Sequence, residues 1–415
     1  MRVKLARKPR ILCIYTFPLP DRGGGFCLPT HAIDILKERC QITFFLPSQP
    51  DWDFVNAKFN SNISESDVQV EIDKPMTRWF KLLNSFFYPG TLSPDFRRMT
   101  QCYDLCICFA NIGYVGRPTV HFVTDVSALD AVGIKRPQCR FWTPSCLTFR
   151  DRAQKKITRV VKFGLRFLRS VYGSQRRLRK ALIKNGDRVV ANSRWIASFF
   201  EKENFLVDLL YPPVTAEFPY FPFAQRGADF VCIGRIVSLK RIEKMIEILA
   251  EVRRRSGREF QFHIAGQFAD APYPRFIKEL ASRHSWITLE GFLFGAEKEK
   301  FLTDYRYAIH ACEFEAFGIA VAEYLKAGCI PFVPNEGGAA EVVGFPELCY
   351  ADTEDAVEKI CCFLEKDETE QAEMQARTLE RGRLFAIEKF DEDFIDFIGE
   401  RLAERGFPGV LRGVN

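Results

Sequence analysis

Short apolar segments alternate with longer amphipathic segments over almost the whole chain. Alternation of this kind is typical of strand–helix–strand units around a mostly parallel sheet. Two doubly wound sheets in an α/β fold are therefore expected. The predicted strands are 11–15, 42–46, 105–109 and 189–191 in the first half, and 230–233, 260–265, 287–289, 308–311 and 330–333 in the second.

A pair of prolines marks the predicted boundary between the two sheets. Pro212 and Pro213 interrupt both helices and central strands, and an irregular segment, 218–226, follows them. The length of 415 residues also exceeds what a single ordinary core supports. We predict an N-terminal domain over 1–210, a linker over 211–228, a C-terminal domain over 229–390 and a final amphipathic helix within 391–415.

Composition favours a soluble globular protein. Hydrophobic residues make up 47% and charged residues 27% of the chain, and no apolar run is long enough to span a bilayer. The basic start followed by 11–17 is predicted to be a buried strand rather than a signal peptide, since no cleavage site follows. The 14 cysteines occur mostly singly inside apolar segments, which indicates core residues in a reducing cytoplasm.

The net charge of +6 is concentrated in one stretch. Between Arg150 and Arg188 there are 14 Lys or Arg residues but only two Asp. Within it, 153–172 has an apolar stripe at helical spacing with basic residues around it. Such a helix either lies on an anionic membrane surface or packs on the core with a solvated basic face. No nucleic-acid recognition module accompanies the charge, so nucleic acid is not an expected partner.

The strongest local signal is a pair of glutamates, Glu315 and Glu323, on either side of a glycine. Glu315 follows an apolar run that ends at Ala311, and Gly318 is predicted to begin the helix that contains Glu323. A helix N-terminus offers backbone N–H groups and partial positive charge to a diphosphate. Eight residues span about 12 Å of helix, comparable to the distance from a hexose across a diphosphate to a ribose. A solvated helix face explains the spacing equally well.

A basic segment follows the first predicted strand of the second half. Gly234 is followed by Arg235, whose planar fork can bind two phosphate oxygens, and by Lys240, which supplies a mobile point charge. Cations at a helix start are mildly disfavoured by the macrodipole. Stabilisation of a leaving diphosphate is therefore favoured over an ordinary basic helix start.

A third segment, Gly23, Gly24 and Gly25, joins the first predicted strand to the helix that contains His31. It lacks the dinucleotide-binding fingerprint. It nevertheless lies at the first turn, where open α/β sheets bind ligands. A flexible loop and a ligand-binding loop both explain it.

These three segments, in this order, resemble the retaining glycosyltransferases of family 4, which have the GT-B fold of two facing Rossmann-like domains. The resemblance is good from about Asp187 to Val343 and thin over 49–103 and in the tail. It also rests on four further segments, which are 189–193, 211–214, 263–266 and 337–343.

The resemblance implies a role for each candidate residue. Glu315 would contact the donor sugar and Glu323 its ribose, and the last helix would return to the N-terminal domain. The remaining donor contacts would come from the backbone of Phe317 and Gly318, from Arg235 and Lys240 beside Gly234, and from the loop of Gly23, Gly24 and Gly25.

The implied reaction is the metal-independent transfer, with retention, of a hexose from a UDP- or GDP-sugar to a glycan or lipid-linked acceptor. It would serve cell-envelope or polysaccharide synthesis in the cytoplasm, with peripheral attachment to the membrane where the acceptor is lipid-linked. No cofactor is expected. The triplets that begin at Asp51 and Asp391 resemble metal-binding Asp-x-Asp, but Asp391 is better explained as a helix start.

One position departs from the family pattern. Many relatives have His-Asp after the strand that corresponds to 119–123, whereas this chain has Thr124 and Asp125. Asp125 remains a candidate near the reacting centre. The departure leaves a second function open, that of a nucleotide-sugar-binding relative with weak or absent catalysis.

Overall fold

The computed structural model describes residues 7–15, 26–72, 98–109, 112–135, 137 and 173–412. Within them the chain forms two compact units. Among the described residues, unit 1 contains those up to 135, those of 173–213 and the segment from Ile387 onward, and unit 2 contains Pro137 and Val214–Ala386. Each unit has its own parallel sheet, which confirms the predicted fold class.

Unit 1 is built on a seven-stranded sheet in the order β3-β2-β1-β4-β5-β6-β7. All neighbouring strands are parallel. Strand β4 is buried along its whole length, as expected for a sheet covered on both faces. The strands are β1 (Arg10–Tyr15), β2 (Gln41–Leu46), β3 (Val68–Ile72), β4 (Leu105–Phe109), β5 (Thr119–Val123), β6 (Arg188–Ala191) and β7 (Leu206–Leu209).

The described helices of unit 1 include the last helix of the chain. They are α1 (Cys27–Leu36), α2 (Trp52–Phe59), α3 (Ser127–Ala131), α4 (Ser174–Asn185), α5 (Arg194–Glu201) and α13 (Ile387–Ala403). Helix α13 places Phe390, Phe394, Ile398 and Leu402 in the core of unit 1. This four-residue spacing lies on one helix face and explains why the segment returns to the first sheet.

Helix α13 begins earlier than the sequence indicated. It starts at Ile387, so Asp391 lies inside the helix and is not its start. The Asp391 carboxylate is 2.6 Å from Nε2 of the buried His31 on α1. The Asp51 carboxylate accepts a hydrogen bond from the Phe54 N–H and caps α2. Both triplets therefore have structural uses in unit 1.

Unit 2 has a six-stranded sheet in the order β10-β9-β8-β11-β12-β13. All neighbouring strands are again parallel. The strands are β8 (Gly227–Ile233), β9 (Phe262–Ala265), β10 (Ile287–Gly291), β11 (Tyr305–Ile309), β12 (Ile330–Pro334) and β13 (Cys349–Tyr350). The helices are α6 (Ile242–Ser256), α7 (Pro272–Ala281), α8 (Gly295–Thr303), α9 (Ile319–Ala327), α10 (Gly338–Val343), α11 (Thr353–Glu365) and α12 (Glu368–Gly382).

Several predicted strand boundaries in unit 2 were wrong, and β8 begins at Gly227 rather than at 230. The strand expected over 308–311 is Tyr305–Ile309, because the buried residues that follow it belong to a loop at the sheet edge. The strand expected from Phe260 begins at Phe262. No helix in the described ranges is both long and apolar enough to cross a bilayer.

A histidine on β9 makes the stability of unit 2 depend on pH. His263 Nδ1 is 2.7 Å from Glu290 Oε1, and Nε2 is 3.7 Å from Asp229 Oδ2. Burial by itself would lower the pKa of His263, but the two carboxylates outweigh it and raise that pKa above its usual value. The stabilisation is therefore full below the unfolded-state pKa and is lost as pH rises through the folded-state pKa.

We expect His263→Gln to reduce the free energy of unfolding more at pH 5.5 than at pH 9. Urea unfolding of the variant and the wild type at both pH values measures the difference. His284→Gln is the control, because no carboxylate of the described residues lies within 4 Å of His284. An equal loss at the two pH values for His263→Gln would contradict the assignment.

Candidate functional site

Two loops meet at the carboxyl edge of the unit 2 sheet. One, 234–241, follows β8, and the other, 310–318, follows the neighbouring strand β11. Because the strands are parallel, both loops leave the sheet at the edge where open α/β sheets bind ligands. The sequence candidates Arg235, Lys240 and Glu315 lie on these loops.

An ion pair joins the two loops. Lys240 Nζ is 2.5 Å from Glu315 Oε2, and their side chains are 18% and 21% exposed. His310 Nε2 lies 3.3 Å from the same carboxylate oxygen and is almost fully buried. The structure therefore brings together two predicted residues and a third, His310, that the sequence interpretation missed.

The ion pair determines the protonation states of the cluster. Burial by itself would raise the pKa of Glu315, but Lys240 and His310 hold it well below its usual value. Burial would lower the pKa of Lys240, but Glu315 raises it. Burial also lowers the pKa of His310. At neutral pH the site thus contains a carboxylate, an ammonium and a neutral imidazole, so Glu315 acts as a hydrogen-bond acceptor and not as an acid.

A second ion pair holds the same two loops together. Arg241 Nη1 is 3.2 Å from Glu313 Oε1, and Lys244 Nζ is 3.7 Å from that oxygen. Arg241 and Phe314 both have positive φ angles, 53° and 58°, which are uncommon for residues other than glycine. Backbone of this kind persists where surrounding contacts enforce it, and it clusters at functional sites. Here it flanks the Lys240–Glu315 pair on both loops.

The start of α10 lies directly behind the Glu315 loop. The Gly338 N–H donates a hydrogen bond of 2.7 Å to the Glu315 carbonyl. A Cβ atom on Gly338 would lie 2.2 Å from the Ala316 carbonyl oxygen. Only glycine permits this approach, so Gly338 positions the loop. The sequence resemblance included 337–343, but only the contact with Ala316 explains why position 338 is glycine.

The cluster also has the elements of a metal site. His310, Cys312 and Glu315 bring a nitrogen, a sulfur and an oxygen within 4.8 Å of one another. This donor set suits a transition metal. However, the Lys240 ammonium is already 2.5 Å from Glu315 and would repel a cation there. We assign the Glu315 carboxylate to Lys240.

The remaining residues of the two loops differ in exposure. Gly234 and Arg235 are exposed, and no carboxylate of the described residues lies within 4 Å of the Arg235 guanidinium. Phe317 is buried and its ring makes an edge contact with Phe385. Gly318, with φ of 97°, immediately precedes α9. Arg235 is thus accessible to a ligand, whereas the Phe317 side chain has a packing role.

Glu323 is held by a neighbouring helix. Lys298 Nζ on α8 is 2.7 Å from Glu323 Oε1, and the Glu323 side chain is 13% exposed. No local pattern predicts this partner, since the two residues belong to different helices. A ribose at Glu323 would share the carboxylate with Lys298.

Other predicted sites lie elsewhere. Asp125 belongs to unit 1, at the carboxyl end of β5, and its carboxylate accepts a hydrogen bond of 2.6 Å from the Ser127 N–H. Gly23, Gly24 and Gly25 lie outside the described residues, as does the whole predicted membrane helix, 153–172.

Comparison with known proteins identifies the second unit. Residues 216–383 match the family model of glycosyl transferases group 1. This range contains both loops of the site. No curated protein matches the chain significantly by sequence.

Solved structures share the two-unit fold at low sequence identity. HepE from Anabaena, determined with UDP and glucose, is 16% identical with a TM-score of 0.59, over 94% of this chain and 100% of its own. Sucrose-phosphate synthase from Thermosynechococcus elongatus is 15% identical with a TM-score of 0.64, over 96% and 100%. WaaG, a glycosyltransferase involved in lipopolysaccharide biosynthesis, is 15% identical with a TM-score of 0.58, over 94% and 99%. Residues 216–383 of the second unit are therefore similar to glycosyl transferases group 1, and the chain has the GT-B fold of these solved structures.

Proposed function

We propose that this chain transfers a hexose-type sugar from a UDP- or GDP-sugar to a glycan or lipid-linked acceptor, with retention and without a metal. The observation that carries the proposal is the charged cluster on the two loops of unit 2, where Lys240 and the exposed Arg235 accompany the carboxylate of Glu315. HepE, which shares the fold, was determined with UDP and glucose, and this supports a nucleotide-sugar donor.

The two cations suit the departure of a nucleoside diphosphate. A lysine ammonium has three N–H donors, so Lys240 can keep Glu315 and still donate to a phosphate oxygen. Arg235 offers a planar fork to the same diphosphate. Together they would stabilise the negative charge that grows on the leaving group as the sugar–oxygen bond breaks. Glu315, held ionised, would accept hydrogen bonds from sugar hydroxyls.

Retention is proposed without a covalent intermediate. Glu315 is the carboxylate of the described site nearest the cations, and its hydrogen bond from Lys240 makes it a weak nucleophile. The acceptor would therefore attack from the face that the diphosphate leaves. Nuclear magnetic resonance of the product, which reports the anomeric configuration, tests this step. An inverted product would exclude it.

Donor use is tested with a panel of UDP-glucose, UDP-N-acetylglucosamine, UDP-galactose and GDP-mannose. We expect one donor to be hydrolysed slowly in the absence of acceptor, and UDP or GDP to bind in calorimetry. Binding of neither nucleotide to folded protein would refute the proposal.

Metal removal should leave turnover unchanged. The positive charge that a metal would supply to the diphosphate is provided by Arg235 and Lys240 in this proposal. Donor hydrolysis is measured in excess EDTA and again after addition of Mg²⁺ or Mn²⁺. A loss of activity in EDTA that either ion restores would show that the two side chains do not suffice.

A second function is favoured by one observation in unit 1. Thr124 replaces the histidine of many relatives, and the adjacent Asp125 carboxylate is engaged by its own helix. A protein that binds a nucleotide sugar but does not turn it over would show calorimetric binding with no hydrolysis or transfer across the panel. Hydrolysis or transfer of any donor above background would support the transferase and exclude this second function.

The setting of the reaction is proposed to be cell-envelope or polysaccharide synthesis in the cytoplasm. WaaG, which shares the fold, is involved in lipopolysaccharide biosynthesis. A lipid-linked acceptor would require the protein to reach the membrane, and the basic segment 153–172 is the proposed contact. Sedimentation with vesicles that contain about 30% anionic lipid, chosen to give a strong surface potential, tests this contact. Absence of binding would remove the membrane from the proposal.

A further inference from the structure

Unit 1 has a cavity of about 390 Å³ at the edge of its sheet opposite to Asp125. It lies at the amino-terminal ends of β5 and β6, where Thr119 and Gly186 line it. Three arginines, Arg188, Arg401 and Arg405, complete much of the wall. Its size falls within the range of small-molecule sites. The cavity is separate from the carboxyl edge that holds Asp125.

Arg401, near the end of α13, and Arg405, just after it, are paired with two carboxylates of the described residues, Glu400 and Glu404. Arg401 Nη2 lies 3.0 Å from Glu400 Oε2 and 3.2 Å from Glu404 Oε1. Arg405 Nη1 lies 3.7 Å from Glu404 Oε2 and donates to the Arg401 carbonyl. Both glutamates are more than half exposed, so water screens their charge.

Two more arginines add to the positive charge. Arg188 is fully paired with Asp208, at 2.9 and 3.1 Å. The positive charge of Arg117 lowers the pKa of Arg405. The Arg117 guanidinium donates to the carbonyl of Thr100, and no carboxylate of the described residues lies within 4 Å of that guanidinium. The carboxylates that contact the three wall arginines are Asp208, Glu400 and Glu404. The buried Asp187 is also near, but its carboxylate is engaged by Asn185, His121 and the Thr119 N–H.

Burial makes the incomplete pairing of Arg401 costly. Arg401 is only 8% exposed, and its buried Nε has no hydrogen-bond partner among the described residues. Buried polar groups in native proteins are nearly always paired, so an unpaired one indicates a missing partner. Burial also lowers the pKa of Arg405, and the nearby positive charges of Arg117 and Arg401 add to that effect against the opposing influence of Glu404.

We propose that this cavity binds a phosphomonoester, with its phosphate against Arg401 and Arg405 and its organic part in the remaining volume. Guanidinium groups bind phosphate through paired N–H donors. The ligand would supply the negative charge that the glutamates provide incompletely. Two sources share this chemistry, free phosphate and a sugar phosphate, and the size of the cavity favours the sugar phosphate.

The test is calorimetry on the full chain at low salt, with inorganic phosphate and glucose 6-phosphate as separate probes. We expect saturable binding of one equivalent, tighter for glucose 6-phosphate. Arg405→Gln should weaken it at least tenfold, and Glu404→Gln should strengthen it about threefold, since it removes a competing charge. Arg412→Gln, which removes an arginine of the same unit that is 70% exposed, is the matched control and should leave the affinity unchanged.

The outcomes separate this cavity from the donor site. Binding of UDP to Arg405→Gln should equal that of the wild type, and a loss of both ligands would overturn the assignment. So would an absence of saturable binding to the wild type, or an equal loss in Arg412→Gln. If Arg405→Gln does not fold, Glu404→Gln decides, because unchanged or weaker binding in that variant contradicts the proposal.

Discussion

Replacing Lys240 with methionine is expected to lower the turnover of the donor about 100-fold, which is the usual effect of removing one donor to a developing negative charge. Methionine keeps much of the side-chain volume but removes the ammonium that contacts Glu315. Steady-state hydrolysis or transfer with the preferred donor measures kcat. Lys300→Met, at a lysine that is 76% exposed on α8, is the matched control and should retain wild-type kcat.

A double variant separates charge stabilisation from structural damage. Lys240→Met leaves the Glu315 carboxylate without its ion-pair partner, which is expected to reduce the free energy of unfolding by about 1–3 kcal/mol. Adding Glu315→Gln removes that unpaired charge, so thermal unfolding should recover while kcat stays low, because this variant lacks both the ammonium and the carboxylate proposed to contact the donor. Recovery of kcat together with stability would show that Lys240 acts only through the fold.

Most of the second sheet could be predicted from the sequence because its strands are short apolar runs with buried faces. Strands β10 and β12 begin where the pattern placed them, and β8 ends where it was placed. In this sheet, strand β13 was missed because it has two residues. In the first sheet, β7 was missed because its side chains are partly exposed at the edge of the sheet. Edge strands carry less of the apolar signal on which such predictions rest.

The candidate site was predictable in part, for a different reason. Arg235, Lys240 and Glu315 are polar residues at strand ends, so local pattern was enough to single them out. His310 was missed because a lone histidine beside an apolar strand is read as a core residue. Lys298 was missed because its pairing with Glu323 joins two helices. Contacts between elements distant in sequence leave no local signal in a single chain.

The role of Gly338 could not be predicted from the sequence either, because it depends on packing between distant segments. The glycine pair at 337–338 drew attention only through a resemblance, since glycine in a short segment usually indicates a turn. In the structure, Gly338 lies against the backbone of Ala316 and donates to the Glu315 carbonyl. The Glu315 loop is thus supported by a backbone contact that only a residue without a Cβ atom can make.

Gly338→Ala is therefore expected to destabilise the protein by about 3 kcal/mol or more, the upper range for overpacking a core. The new Cβ would lie 2.2 Å from the Ala316 carbonyl oxygen, and neither backbone can yield by rotating a side chain. Either the helix or the Glu315 loop must move, so nucleotide binding should weaken as well. Urea unfolding and calorimetry with UDP or GDP measure the two effects.

The matched control is Gly399→Ala in the last helix, where an added Cβ has no atom within 4 Å. Because alanine is a better helix former, this variant should be as stable as the wild type or up to about 1 kcal/mol more stable. Nucleotide binding should not change, since Gly399 belongs to unit 1. If Gly338→Ala instead unfolds at the same urea concentration as Gly399→Ala, the Glu315 loop tolerates displacement and the steric argument for its position is wrong.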